Sequence, residues 1–313
     1  MRIANRVVLA PLAGVGNWFV RLQARRHGAG LAVSEMVSSF AVHYENPRTL
    51  RELLRIHPDE HPVAIQLFGQ DAEVMRSAAS RVAEAGADLI DINMGCPVPK
   101  VCKTGAGAAL LRDPDRAVAV ARAASQGSGL PVTVKLRSGQ RPGETDGADL
   151  ARRLAEDAGV AGITFHPRAA SVAHRGEPDY DLAARLVESL EVPVTVTGGL
   201  SDAAAVRRAH ERTRADAVML ARGSLGNPWL FEELLGTRTV PPAPSEVLAE
   251  LDWVIECAVD HLGPERACRY LRKFYPWYLE RLGASRSVQD ALQRAEDLGA
   301  VRGLLAGMRL AAA

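Results

Sequence analysis

The sequence predicts a (β/α)8 barrel followed by a small all-helical domain, and three observations carry that prediction. Short apolar runs ending in polar or glycine residues recur eight times: Val7–Ala10, Leu31–Val37, Pro62–Leu67, Leu89–Asn93, Val132–Leu136, Gly162–His166, Val194–Thr197 and Ala217–Leu220. Between them lie stretches with helical spacing, among them Asp71–Ala85, Pro114–Ser125, Ala148–Ala158, Leu182–Leu190 and Ala203–Arg212. After Gly236 the alternation stops and only helical patterns follow. Alternating strands and helices imply parallel βα units, and eight of them in about 235 residues match the size of a barrel. A doubly wound open sheet is the competing fold. It normally carries a glycine fingerprint after its first strand, and Ala10-Pro11-Leu12-Ala13-Gly14 is not one.

The elements follow in order. Val7 to Val15, behind Arg2 and Arg6, superficially resembles a secretion signal, but the run is short and contains Pro11, and it reads instead as a buried parallel strand. Helix starts are marked by Asp71, by Asp113-Pro114 and by Ser201 with Asp202. Helix ends are marked by Gly86, Gly127 and Gly159. Residues 1–236 thus form the barrel, and 237–245, with Pro241, Pro242 and Pro244, a stiff linker. Residues 246–313 form the helical domain, with helices Glu246–Leu262, Pro264–Leu282 and one or two more from Ser287 to about Leu310.

Composition excludes several classes. The 313 residues are 47% hydrophobic, enough for a large core. No apolar stretch reaches about 18 residues, so no membrane span is expected. The net charge is +1, with 38 basic and 37 acidic residues, which argues against a binder that relies on bulk charge. Cys96, Cys102, Cys257 and Cys268 form no CxxC pair and no zinc spacing, so no metal is expected, and their sparseness suits a reducing cytoplasm.

In a barrel, chemistry sits at the C-terminal ends of the strands. There the chain places Pro11-Leu12-Ala13-Gly14, Glu35-Met36, Gln66, Asn93 through Cys96, Lys135 and Arg137, His166 and Arg168, Gly198-Gly199, and Ala221-Arg222-Gly223. Glycine turns after the seventh and eighth strands, with Arg222, suit a phosphate, although tight turns alone also explain glycines. Only four of the 38 cationic residues are lysines: Lys100, Lys103, Lys135 and Lys273. Lys135 lies in an apolar strand, where a ligand anion, a Schiff base or a structural ion pair would each explain it. Cys96, between Gly95 and Pro97, is not in a core setting and points to reactivity, with a thiol able to serve as an acid.

The segments APLAG (Ala10–Gly14), SEMVSS (Ser34–Ser39), QLFG (Gln66–Gly69), DINMGCPVPKVCKTGAGAALL (Asp91–Leu111), VKLRSG (Val134–Gly139), TFHPR (Thr164–Arg168), TGGL (Thr197–Leu200), ARGSLGNPWLF (Ala221–Phe231) and RKFYPWYL (Arg272–Leu279) resemble, in that order, the tRNA-dihydrouridine synthases. The resemblance implies an FMN- and NADPH-dependent enzyme that reduces the C5–C6 bond of a tRNA uridine. Flavin N5 gives hydride to C6 and Cys96 gives a proton to C5. It implies FMN contacts at Pro11, Leu12, Ala13, Gln66, Lys135, His166, Thr197, Gly198, Gly199, Ala221 and Arg222. It also implies substrate contacts at Asn93, Lys103, Arg137, Arg168, Arg272 and Lys273, the last two in an RNA-contacting helical domain that also carries Arg266 and Arg269. The implied partners are tRNA and NADPH, with no membrane, no metal, and a monomer as a sufficient state.

The chain departs from the family pattern at Gly16-Asn17, at HPRAA (His166–Ala170) and at Tyr180, where Thr-Asp, HGRTR and tryptophan are usual. Three other readings fit parts of the sequence: an FMN barrel reductase of a small molecule such as a free pyrimidine, a Schiff-base lyase on Lys135, and a non-catalytic RNA-binding module.

Overall fold

Residues 3–312 are described in a computed structural model. Met1, Arg2 and Ala313, at the ends of the two expected domains and of the signal-like run, lie outside the described residues. By contact density the chain divides into two units, Met1–Gly223 and Ser224–Ala313.

The first unit is built on nine strands: β1 (Val7–Leu9), β2 (Leu31–Val33), β3 (Val37–Ser38), β4 (Val63–Phe68), β5 (Leu89–Met94), β6 (Val132–Arg137), β7 (Gly162–His166), β8 (Val194–Thr197) and β9 (Ala217–Leu220). Its helices are α1 (Trp18–Arg26), α2 (Ser39–His43), α3 (Ala72–Glu84), α4 (Pro99–Cys102), α5 (Pro114–Ser128), α6 (Asp146–Ala158), α7 (Tyr180–Ser189) and α8 (Ala203–Thr213). Every pairing is parallel. β1 pairs with both β2 and β9, and β2 pairs with β4, so eight strands close into a barrel while β3 adds a short ladder to β4 alone.

Strand periodicity decides what each face meets. Outward residues such as Ile65, Ile90, Ile92, Val134, Phe165 and Val196 pack on Met75, Val82, Ala121, Leu154 and Leu186 of the surrounding helices. Inward residues start apolar, with Val8, Leu31, Ala64, Leu89, Ala217 and Met219 filling the barrel. Two residues further along the same inward faces the chemistry changes to Gln66 on β4 and Asp91 on β5.

The structure corrects three expectations. The helix expected to stop at Gly127 runs on to Ser128 and closes at Gly129, whose φ is +64°. Gly127 is needed for packing instead, since a Cβ there would lie 2.1 Å from the Arg76 carbonyl. The run Leu31–Val37 is not one strand but β2 and β3: at Ser34 the ladder is interrupted, the Gln66 N–H donating at 2.9 Å to the side-chain Oγ and not to a backbone carbonyl. In the second unit, the expected helix Pro264–Leu282 is broken. Pro276 has no N–H and its ring would clash with the carbonyl four residues back, so the chain forms two helices with a turn between them.

That unit contains α9 (Trp229–Leu235), α10 (Pro244–Leu262), α11 (Pro264–Leu271), α12 (Tyr275–Arg281), α13 (Arg286–Arg294) and α14 (Leu298–Ala312). Leu251, Val254, Leu271, Tyr275, Leu279, Val301 and Leu305 are buried in it. The proline-rich segment is tied down. Arg238 bridges Glu232 at 2.6 Å and Glu246 at 2.7 Å, and Ala243 N donates to Glu246 at 2.8 Å. Among the described residues no helix is long and apolar enough to cross a membrane.

Helix α1 was not anticipated from the sequence. Asn17 caps it, accepting the Val20 N–H at 3.3 Å, a task asparagine and aspartate perform equally well. Arg21 on α1 forms a fully buried pair with Glu60, Nε to Oε2 at 2.7 Å and Nη2 to Oε1 at 3.0 Å, and also holds the Arg55 and Gly16 carbonyls. Removing one partner of such a pair leaves a bare charge in the core. Glu60→Ala is therefore expected to cost about 3–5 kcal/mol, read as a lower urea midpoint. An unchanged midpoint would show that the pair is not a fixed element of the fold.

Candidate active site

The polar line inside the barrel begins at Asp91. Its side chain accepts Thr133 Oγ1 and Gln66 Nε2, each at 2.6 Å. Gln66 Oε1 accepts Asn93 Nδ2 at 2.8 Å, and Asn93 Oδ1 accepts the N–H groups of Gly95 at 3.2 Å and Cys96 at 2.9 Å. Burial holds the Asp91 carboxyl up at about 6, against the opposing pull of its hydrogen bonds and of Lys135. Burial, aided by Arg137, brings Lys135 down to about 8, with Asp91 opposing.

The Cys96 loop is gripped from a second side. Arg137, almost fully buried, donates Nε to Gly95 O at 2.9 Å and Nη1 to Ala169 O at 3.1 Å and Ala173 O at 2.7 Å. The fork joins the loop after β5 to the loop after β7. It also holds Ala173, whose φ of +54° is rare for a residue with a Cβ. The segment beyond Cys96 folds back on it. Ala108 N donates to Cys96 O at 3.0 Å, Cys102 Sγ does so at 3.2 Å, and a Cβ on Gly107 would lie 2.7 Å from that carbonyl.

Next along the rim, at β6 and β7, lies a cationic wall. Arg168 donates Nη1 to His166 Nε2 at 3.3 Å. Since guanidinium only donates, Nε2 is an acceptor and the His166 proton sits on Nδ1. Burial and the charges of Lys135, Arg137 and Arg168 push His166 far below the usual histidine range, so it stays neutral. The turn after β8 passes close by. Gly198 and Gly199 have φ of +100° and +78°, and a Cβ on Gly198 would meet the His166 ring at 2.4 Å. Tyr180 braces this turn, its hydroxyl donating to Gly198 O at 2.8 Å, a bond that a tryptophan at this position could not place in the same way. Thr197 Oγ1 donates to Met219 O at 2.8 Å.

Residues 8–308 match the family model of the dihydrouridine synthases. This chain belongs to that family. A tRNA-dihydrouridine synthase B of Pseudomonas aeruginosa is 36% identical over 303 residues, spanning 95% of this chain and 91% of the relative. The protein of that name from Escherichia coli K12 is 34% identical over 315 residues, 96% of each chain. Among solved structures, a morphinone reductase mutant in complex with tetrahydroNAD superposes with a TM-score of 0.54 at 17% identity, over 79% of this chain and 91% of the other. A 2-naphthoyl-CoA reductase complex gives 0.59 at 13% identity, over 75% and 50%. At these identities the structures share the barrel fold.

The dihydrouridine synthase motifs fall on the barrel mouth in different ways. Gln66, Asn93 and Cys96 join one hydrogen-bonded line, while Lys135, His166, Arg168, Thr197, Gly198 and Gly199 form the cationic side. Leu12 is buried, Pro11 and Ala221 are half-buried, and Ala13, Lys103 and Arg222 are exposed. Arg137 is turned onto three carbonyls. In the helical unit Arg266, Arg269 and Lys273 are exposed, with Lys273 Nζ 4.7 Å from the Tyr270 ring, whereas Arg272 donates inward to Ala295 O at 3.0 Å. Asp91, Thr133 and His174 escaped the sequence reading. His174 stacks on His166 with ring centroids 6.0 Å apart. Asp91 was findable as an acid inside an apolar strand, but nothing in its spacing marks His174. Among the described residues no group of three His, Cys, Asp or Glu side chains converges as a metal site.

The Arg137 clamp makes a specific prediction. Lysine keeps the charge but cannot place a fork on three carbonyls. Arg137→Lys is expected to loosen the loop after β7 and speed tryptic cleavage after Arg175 about tenfold, the equivalent of one net hydrogen bond lost. Wild-type cleavage kinetics in that variant would leave the clamp without support.

Proposed function

We propose that this chain is a tRNA-dihydrouridine synthase, an oxidoreductase that uses FMN and NADPH to saturate the C5–C6 bond of a uridine in tRNA. The observation that carries the proposal is a cysteine held by its own backbone beside a cationic barrel mouth, in a chain that matches the family over residues 8–308. The names of its relatives supply the tRNA.

The residues fit a flavin phosphate. The glycines after β8 leave no room for side chains, and Arg222, at the end of β9, adds a charge beside Arg168. Gly198, Gly199, Thr197, Ala221 and Arg222 would hold the phosphate end. Pro11, Leu12, Ala13, Gln66 and His166 would line the ring. A reduced flavin, when bound, supplies hydride to uracil C6.

Cys96 then delivers its proton to C5 and regains one from water, so that one hydride and one proton cross the double bond. Asn93 and Arg137 hold the loop that carries this thiol. Lys135 would stand near the flavin's N1/O2 side, where its positive charge would stabilise the negative charge of the reduced ring. The target uridine has to leave its stack to reach the mouth, and Arg266, Arg269 and Lys273 offer exposed cations for the tRNA backbone. The expected compartment is the cytoplasm, where tRNA is modified.

Two measurements test this reading. Cys96→Ala should retain yellow flavin absorbance and NADPH oxidation yet lose at least about 99% of dihydrouridine formation in unmodified tRNA, the scale of a general acid. Normal turnover by that variant would remove Cys96 from the chemistry, and turnover of free uracil without tRNA would favour a small-molecule reductase. Lys135 is protonated below about 8 and loses its charge as pH rises through that value. Turnover should therefore fall on the alkaline side near pH 8, and in Lys135→Arg, whose guanidinium stays charged, that fall should move to higher pH. An alkaline limb that stays in place would assign it to another group.

A further inference from the structure

The buried polar line has two ends, and both demand the same direction. At one end Gly95 and Cys96 offer backbone N–H groups, which only donate, and both reach Asn93 Oδ1. At the other end an ionised Asp91 only accepts, taking Gln66 on one oxygen and Thr133 on the other. Between them Asn93 Nδ2 donates to Gln66 Oε1 at 2.8 Å. Each amide thus has a single consistent arrangement, nitrogen toward Asp91 and oxygen toward the Cys96 loop. Gln66 and Asp91 are at most 1% exposed and Asn93 is 8% exposed, so water does not relieve a mismatch.

We propose that Asp91 is a positioning residue for the reaction: its acceptor-only carboxylate fixes the orientation of the Gln66 and Asn93 amides and, through them, the backbone of Cys96. The proposal rests on the reading of Cys96 as the proton donor. A neutral amide in place of Asp91 could present either oxygen or nitrogen to Gln66. With nitrogen presented, Gln66 turns over, Asn93 follows, and Asn93 Nδ2 meets the two backbone N–H groups it should accept. The loop then divides between two arrangements. The side chains facing Asp91 are Gln66 from β4 and Thr133 and Lys135 from β6, of which only Lys135 titrates. Because Asp91 takes up a proton as pH falls through about 6, turnover should show an acid limb near that value.

The test uses flavin-loaded protein and unmodified tRNA. Asp91→Asn is expected to keep its flavin, to lose turnover on the order of ten- to a hundredfold, the penalty of a mispaired buried donor, and to lose the acid limb. Alkylation of Cys96 by iodoacetamide, followed on the Cys96 peptide by mass spectrometry, should change rate in the same variant. The decisive arm adds Gln66→Glu to Asp91→Asn. The introduced amide then donates to the introduced carboxylate, whose second oxygen accepts from Asn93, so the direction is restored with the charge moved one step. This double variant should restore the wild-type rate of Cys96 alkylation, a readout of the loop that does not pass through the flavin beside Gln66.

A double variant whose Cys96 alkylates at the altered rate of the single one overturns the proposal, as does an Asp91→Asn protein with wild-type turnover and alkylation. Should Asp91→Asn fail to fold, the double variant is still expected to fold and to alkylate at the wild-type rate, and its failure to do so counts against the proposal. Full turnover by Cys96→Ala overturns the acid assignment instead, and the alkylation rate in Asp91→Asn then still reports whether Asp91 positions the loop.

Discussion

A carboxylate at the centre of a closed barrel has to be answered from every side, and in this protein that requirement organises the catalytic end. Asp91 sits two residues beyond Leu89, which belongs to the apolar filling of the barrel. Burial raises its pKa to about 6, while Thr133, Gln66 and Lys135 pull the other way. Thr133 and Gln66 each commit a donor to it, and Gln66 in turn commits its oxygen to Asn93. The position of the Cys96 backbone is the last link of this line. Geometry that looks like a local feature of one loop therefore depends on a charge in the strand beneath it.

The same loop is tied from the opposite direction by Arg137, and the two ties differ in kind. Asn93 accepts from the loop's N–H groups, whereas Arg137 donates to the Gly95 carbonyl between them. Donor and acceptor of neighbouring peptide units are both engaged, which leaves the segment little freedom to rotate. Arg137 carries the constraint on to Ala169 and Ala173 after β7, so the thiol and the cationic wall are held by one fork. A site held through backbone atoms tolerates side-chain variation around it. This is consistent with Ala169 and Ala170 standing where the family pattern carries other residues, since Arg137 uses the Ala169 carbonyl and not its side chain.

Much of this was legible in the sequence, and the parts that were not have physical reasons. The eight apolar runs located the barrel strands because a parallel strand buried on both faces must be continuous in apolar residues. Strand-end reading found Gln66, Asn93, Cys96, Lys135 and His166 because the fold brings those ends to one rim. It did not reveal that Arg137 turns onto carbonyls, or that Arg272 turns inward to Ala295 O, because pattern fixes the face of a strand or helix but not the rotamer. Gly127 misled for a related reason. Its absent side chain serves the approach of the Arg76 carbonyl, a long-range contact that no local signal encodes. Pro276 was visible in the sequence and should have ended the helix there, since its consequences are local.

The scarcity of lysine acquires a physical sense from these contacts. The buried arginines serve as staples: Arg21 on a carboxylate and two carbonyls, Arg137 on three carbonyls, Arg168 between His166 and Gly176. A guanidinium suits such work because its five donors lie in one rigid plane and keep their charge when buried. Lys135 is set in the same barrel but cannot bridge in this way, and its proton is held loosely enough to leave near pH 8. Burial, with the charges of Lys135, Arg137 and Arg168, keeps His166 neutral and leaves its Nδ1–H as a fixed donor. The mouth is therefore strongly cationic in a chain whose net charge is +1. Overall charge averages over the surface, whereas a ligand phosphate at this rim meets only the few groups that the strands aim at it.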